Sequence, residues 1–476
     1  MLTGYFTIRI NFIGGIASPG DLLKILSIAK KCEVTQVRFG LRQQMIMYLS
    51  YTFEKQFKKM MLGQSQDYYM DENPHPNLVS SYVSEEVFQR GNWLREGIYK
   101  DVLDDFDYNP QVKINLSDSQ QSFTPFFSGH INFISSDEPN FWYLYLRKPK
   151  SNEVLIHDKL IFSNEIAKLS NTLQERLLNN DIHLDNLPKM ITRPLEKALK
   201  LPKFTLPYYE GFNRYGKKSW LGIYRRGEVF DITFLENLCK LCLDTKIGEI
   251  CLTPWKSIII KNIQEEDRKS WSALLAKHDI NVRHAANELN WQIEDASQEA
   301  IRLKNRLVRY FNKSDLRTFG ICLGIKTFPK TEVYASIMVR QKKWKYLPFI
   351  KTYAISYTTD YDPNGREVAF FAKSILGFQL PEKLRKAVLK FNEHIAIQIQ
   401  QNEKPITKEI IKETPNSVLH QCLKCLTVYD PAYGDEMNDI VPGVNFENLP
   451  ITYSCSVCEA PKSDYKLQEI SDSMLS

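Results

Sequence analysis

Four cysteines near the end of this 476-residue chain carry the clearest chemistry. Cys422 and Cys425 stand in HQCLKCLTVYDP, and after 29 intervening residues Cys455 and Cys458 repeat the same C-x2-C spacing. A two-residue gap lets a tight knuckle turn both sulfurs toward one ion, and two knuckles complete a tetrahedral four-thiolate set. Zinc and a single iron both accept that set, so spacing alone leaves a structural clip and a redox centre open. The remaining cysteines read differently. Cys239 and Cys242 share the spacing, but in NLCKLCLD they lie beside Leu235, Leu238 and Leu241 at helical periodicity, and no second pair accompanies them. Cys32 and Cys251 are single, and free cysteine packs as a small hydrophobe. The eight histidines form no H-x3-H or H-E-x2-H pattern, and no phosphate-binding glycine loop or nucleophile elbow is present.

Composition narrows the class. Hydrophobic residues at 43% and charged residues at 25% are those of an ordinary globular chain, long enough for several cores. No apolar run approaches the ~18–20 residues of a bilayer span, and the start, MLTGYFTIRINFIGG, lacks the pattern of a secretory leader. A cytoplasmic location is expected, where paired thiols favour metal chemistry over disulfides. The net charge of +6 is uneven: residues 419–476 hold 3 Lys+Arg against 9 Asp+Glu, which leaves +12 on the rest. An acidic tail module on a basic body suits docking to a protein partner. Scattered Lys and Arg, with only short runs such as RQKKWK, give no reason to expect nucleic-acid binding.

The elements that must position these residues repeat. GYFTIRINFIGG reads as a strand, SPGDLLKILSIAKKC as a helix capped by Ser18 with Pro19 in its first turn, and TQVRFGLRQQMIMYLS as a second strand. Residues 218–263 repeat strand–helix–strand, with Asp231 as the cap, and the two units are expected to share one composite sheet. A longer α/β stretch follows each unit. Residues 381–401 form an amphipathic helix, and the Pro- and charge-rich residues 402–417 a linker.

This duplicated order resembles the sirohaem nitrite and sulfite reductase family, which includes precorrin-3B synthase. FGLRQQMIMYL, with Arg42-Gln43, and LTPWKSIII resemble the corresponding strands of its two ferredoxin-like halves, and NPQVKINLSDS resembles its Pro-x-Lys-x-Lys segment. The resemblance implies an α+β fold. It comprises a half-domain at 1–70, an α/β domain at 71–205, a second half-domain at 206–283 and a second α/β domain at 284–401. It also implies a [4Fe–4S] cluster and sirohaem, whose residues are missing. Cys322 is the single cysteine between Lys261 and Ser417, and one thiolate does not hold a four-iron cube. The first lysine of the Pro-x-Lys-x-Lys pattern is Gln111. Neither the cluster nor sirohaem is therefore expected. Arg9, Arg42, Gln43 and Lys113 remain as candidates for a relic anion or tetrapyrrole pocket.

After a linker at 402–418, residues 419–470 resemble rubredoxin. Tyr429-Asp430-Pro431, Gly434-Asp435, Pro442-Gly443, Phe446, Leu449-Pro450 and Lys462 stand where that family has them. The resemblance implies one Fe(II)/Fe(III) ion on Cys422, Cys425, Cys455 and Cys458, carrying one electron. Leu426 and Glu459 replace the glycine usual after each knuckle, where a positive φ eases the approach of backbone to sulfur. Tyr453 and Ser456 are further departures.

The expected function is electron transfer: a rubredoxin module tethered to a degenerate reductase scaffold that docks a redox partner such as a nitrite or sulfite reductase. Two alternatives are an enzyme whose scaffold binds sirohaem or a related tetrapyrrole reduced by its own rubredoxin, and a zinc-ribbon interaction protein.

Overall fold

The computed structural model describes residues 4–468 apart from 65, 73, 89–92, 150, 152, 319, 329–331, 344–350 and 403–418. Most of the expected linker lies outside the described residues. The chain divides into two compact units, Met1–His394 and Ile395–Ser476. Among the described residues, no helix is long and apolar enough to cross a membrane.

In the first unit the strand–helix–strand repeat is present with its caps. Ser18 accepts from the Asp21 N–H at the start of helix α1 (Pro19–Lys31), and Asp231 accepts from the N–H groups of Thr233 and Phe234 at helix α2 (Ile232–Asp244). The segment read as one strand over 35–50 is two, Gln36–Phe39 and Gln44–Ser50, paired antiparallel. The chain reverses between them. The Gly40 N–H bonds the Gln44 carbonyl at 2.8 Å, and Gln43 sits at φ 55°. The second repeat makes the same reversal, with Thr253 N–H to the Ser257 carbonyl at 3.0 Å and Lys256 at φ 57°.

Instead of one composite sheet there are two five-stranded sheets, each completed by the other half. Phe230–Asp231, from the second repeat, pairs with Gln36–Phe39 of the first; Ile16–Ala17, from the first, pairs with Ile250–Leu252 of the second. One core spans both halves, and at the exchange the Phe39 and Phe230 rings meet edge to face at 4.9 Å between centroids. Neither sheet has its full complement of strands without the other repeat.

The duplication extends to the α/β sheets. Val79–Ser80, Ile114–Ser117 and Ile131–Ser135 run parallel, with Phe141–Arg147 antiparallel beside them. Trp291–Ile293, Leu323–Lys326, Ile337–Lys343 and Lys351–Thr358 repeat that order and sense. The expected amphipathic helix spans Leu380–Asn402.

The second unit carries a three-stranded sheet, Leu419–Cys422 between Val428–Tyr429 and Tyr465–Gln468. Its small core is aromatic: Tyr429, Phe446 and Tyr453 with Leu449, and the His420 ring stacked on Phe446 at 4.1 Å. Two glycine-assisted turns shape the loop. A Cβ on Gly434, at φ 69°, would collide with the Ile440 carbonyl.

Candidate metal centre and a basic cavity

Both knuckles use the same bonds. The Leu426 N–H returns to the Cys422 carbonyl at 2.9 Å and the Cys422 N–H to the Thr427 carbonyl at 2.8 Å. In the second knuckle the Glu459 N–H returns to the Cys455 carbonyl and the Cys455 N–H to the Ala460 carbonyl, both at 2.8 Å. This closure forces the residue after each knuckle to positive φ: Leu426 at 64° and Glu459 at 60°. The two glycine replacements thus sit in the strained backbone region that glycine would relieve.

The closure points four sulfurs at one centre. Their Sγ atoms all lie within 4.8 Å of one another, with Cys422 to Cys458 at 3.6 Å and Cys425 to Cys455 at 3.4 Å. An ion about 2.3 Å from each of four tetrahedral sulfurs needs edges near 3.8 Å. Cys422 and Cys455 are buried, Cys425 is half-buried and Cys458 faces solvent. The sulfurs are also electrostatically prepared. The Thr427 hydroxyl and N–H lower the pKa of Cys425. Desolvation opposes ionisation of Cys455, yet the neighbouring Tyr465 hydroxyl and the N–H groups of Cys458 and Val457 bring it to about 6. An Ala460 N–H favours the Cys458 thiolate, but desolvation and the neighbouring thiols push it up to about 12. Loading an ion onto these thiols releases protons.

The cysteines of the first unit are placed otherwise. Cys32, Cys239 and Cys242 are buried in the core shared by the halves, and Cys251 and Cys322 in a second core. Burial pushes Cys239 and Cys251 up to about 12. The Cys322 thiol donates to the Tyr334 carbonyl at 3.5 Å.

The remaining sequence candidates separate. Arg42, buried at the first reversal, donates to the Asn77 carbonyl at 2.6 and 3.0 Å and to the Ile114 carbonyl at 3.0 Å. Its guanidinium also lies 3.7 Å from Glu332, whose other carboxylate oxygen is 2.5 Å from Lys113 Nζ. Gln43 is a buried brace between the halves, donating to the carbonyls of Ser80 at 2.9 Å and Leu252 at 3.0 Å. Arg9 lies on the strand Tyr5–Asn11 and donates to the Asp71 carbonyl at 2.6 Å. Arg42 and Lys113 thus meet through Glu332, while Gln43 and Arg9 are engaged elsewhere.

Sequence reasoning missed the groups that join them. Lys113, Arg147, Lys326, Glu332 and Arg366 line a cavity of about 160 Å³. Four cations line it against one carboxylate, with Arg42 as a fifth cation at Glu332. Burial, with Arg147 beside it, lowers Arg366 to about 10. Burial, then Arg147, Lys113 and Arg42, lowers His130 to about 4. Its Nδ1 accepts the Lys113 N–H at 3.3 Å, which requires the neutral ring.

Residues 419–465 match the rubredoxin family model. The chain is 49% identical over 45 residues to the probable rubredoxin HupI of Bradyrhizobium diazoefficiens, covering 10% of this chain and 65% of that protein. It is 38% identical over 63 residues to a rubredoxin of Synechocystis sp., covering 13% and 52%, and 44% identical over 48 residues to the probable rubredoxin HupJ of Rhodobacter capsulatus, covering 10% and 17%. The chain thus spans less than two thirds of the length of each of these relatives. A structure of the Mycobacterium tuberculosis NirA protein superimposes with a TM-score of 0.62 over 84% of both chains at 14% identity, which shows the fold alone. The chain therefore carries a C-terminal rubredoxin domain with a four-cysteine site able to hold a metal ion, and shares its fold with the NirA protein.

Proposed function

We propose that this protein is a one-electron carrier whose rubredoxin centre cycles between Fe(II) and Fe(III) and whose reductase-like body docks a redox partner. The observation that carries the reading is the convergence of Cys422, Cys425, Cys455 and Cys458 on one centre, with N–H groups near the sulfurs of Cys425, Cys455 and Cys458. Iron bound there supplies the redox chemistry. The chain contributes four thiolates, excludes water from Cys422 and Cys455, and leaves Cys458 at the surface for electron exchange. The acidic module on a basic body supports a charge-steered protein encounter, with a nitrite or sulfite reductase as the partner class that the fold suggests. Cytoplasmic location is part of the same proposal. The test is metal content and visible absorption of the purified chain. About one iron per chain, and a colour that bleaches reversibly on reduction, are expected for a single Fe(Cys)4 centre. One zinc and a colourless protein overturn the redox reading and establish a zinc-ribbon role.

A second reading is favoured by the basic cavity. Its surplus of positive charge supports an anionic ligand, with Lys113 at its wall as a recognition group and the engaged Arg42, Arg9 and Gln43 as scaffold. About 160 Å³ suits a small oxyanion and falls below the ~300–1,000 Å³ of pockets for larger organic ligands. The same spectrum tests the tetrapyrrole alternative: a Soret-type band with acid-extractable tetrapyrrole would replace the docking role of the body with an enzymatic one.

A further inference from the structure

Beyond the four thiolates, two hydroxyl groups face the sulfurs. The Thr427 hydroxyl stands 3.1 Å from Cys425 Sγ, and it is the donor once that sulfur is a thiolate. Tyr465, opposite Cys422 in the strand register, packs against the pocket formed by Cys422, Cys455 and Ala460. Its hydroxyl is buried with no hydrogen-bond partner of ordinary geometry. A buried phenol is favourable only with an acceptor for its O–H, so the groups beside it matter. The Cys455 sulfur and the Tyr453 hydroxyl are among its electrostatic neighbours, and Tyr453 already donates to Asp435 at 2.9 Å. Both oxygen and sulfur can accept from it, and a Cys455 held as thiolate, carrying the charge, is the stronger acceptor.

We infer that Thr427 and Tyr465 are potential-setting residues whose hydroxyls donate to the ligating sulfurs of Cys425 and Cys455. This rests on the iron reading of the site. The reduction adds one electron and no proton: the ferric four-thiolate centre, of net charge −1, becomes ferrous with net charge −2. A donor aimed at sulfur stabilises the state with more charge on sulfur, so each hydroxyl raises the reduction potential. The two act from opposite knuckles, and through different elements. Thr427 lies two residues past Cys425 in the first knuckle, whereas Tyr465 reaches Cys455 from the strand that closes the sheet.

The experiment compares reduction potentials of the iron-loaded full chain with those of Tyr465→Phe, Thr427→Val and Thr427→Ser. Tyr465→Phe keeps the ring and Thr427→Val the branched shape, so packing changes little. Both are expected to shift the ferrous-to-ferric ratio at fixed poise about three- to tenfold toward ferric, tenfold being about 59 mV for one electron. Thr427→Ser, which restores a hydroxyl, is expected to return to the wild-type potential. The Fe–S stretching bands provide a second reading. Their shift on transfer from H2O to D2O is expected to shrink in both hydroxyl-lacking variants. Iron-loaded variants with unchanged potential and unchanged isotope response overturn the assignment. So does a Tyr465→Phe chain that fails to load iron alongside a Thr427→Val chain that behaves as wild type. A wild-type chain that takes up only zinc instead overturns the iron reading itself, and the metal analysis separates the two failures.

Discussion

Two C-x2-C pairs in this chain share a spacing and have opposite fates. Cys239 and Cys242 lie on helix α2 and face the core between the halves, where burial holds their thiols protonated. Cys422 and Cys425 lie on a knuckle whose backbone closes on itself and directs both sulfurs inward, where they meet a second knuckle. Spacing sets how far apart two sulfurs are along the chain, and the element sets which way they point. The larger contrast is between the units. The body is held by extensive apolar cores, while the rubredoxin module has a few aromatic rings around a four-cysteine site.

The contrast breaks most visibly on replacing a sulfur. Cys455→Ser is expected to abolish tight metal binding and unfold the module, because metal binding and folding are coupled by on the order of 10 kcal/mol. Cys239→Ala is expected to cost about 1–2 kcal/mol of body stability without touching metal content. Thermal unfolding with metal analysis checks both; equal losses from the two would erase the distinction.

Acid sharpens it. His130 is neutral in the folded body down to about pH 4, whereas the unfolded chain binds its proton near 6.5. The unfolded state therefore holds more protons between those values, so stability from this residue is present above about pH 6.5 and is lost as pH falls toward 4. The loss is roughly 3 kcal/mol. His130→Gln is expected to flatten the pH dependence of body unfolding across that window, while the module's own transition is unmoved. An unchanged slope would exclude His130 as the acid-sensitive group.

The smallest effect lies at the first knuckle. Leu426→Gly is expected to relieve the positive φ and stabilise the loaded module by about 1 kcal/mol, read as a higher melting temperature with unchanged iron content. A destabilised variant would mean that the exposed Leu426 side chain contributes more than its backbone costs.

What the sequence revealed follows the range of each interaction. Caps, knuckles and the repeated strand–helix–strand units depend on neighbours within a few residues, so Ser18, Asp231 and the clustering of the four cysteines were legible from type and spacing. The strand exchange was not. Ile16–Ala17 and Phe230–Asp231 are two residues each, too short to show a period, and their partners lie about two hundred residues away. The basic cavity was half legible: Lys113 sat in a recognisable segment, but Arg147, Lys326, Glu332 and Arg366 come from separate stretches with no shared pattern. Thr427 and Tyr465 carried no signal because a hydroxyl near sulfur matters only once the sheet register is known.

The exchanged strands also bear on how this protein can be taken apart. Separating the repeats would give two sheets each lacking an edge and a core opened along helices α1 and α2. Two such fragments would be obliged to reassemble, since each carries the piece the other lacks. That is the arrangement of a two-chain assembly joined into one polypeptide. Its consequence is mechanical: removing either repeat takes an edge strand from the other's sheet along with its own.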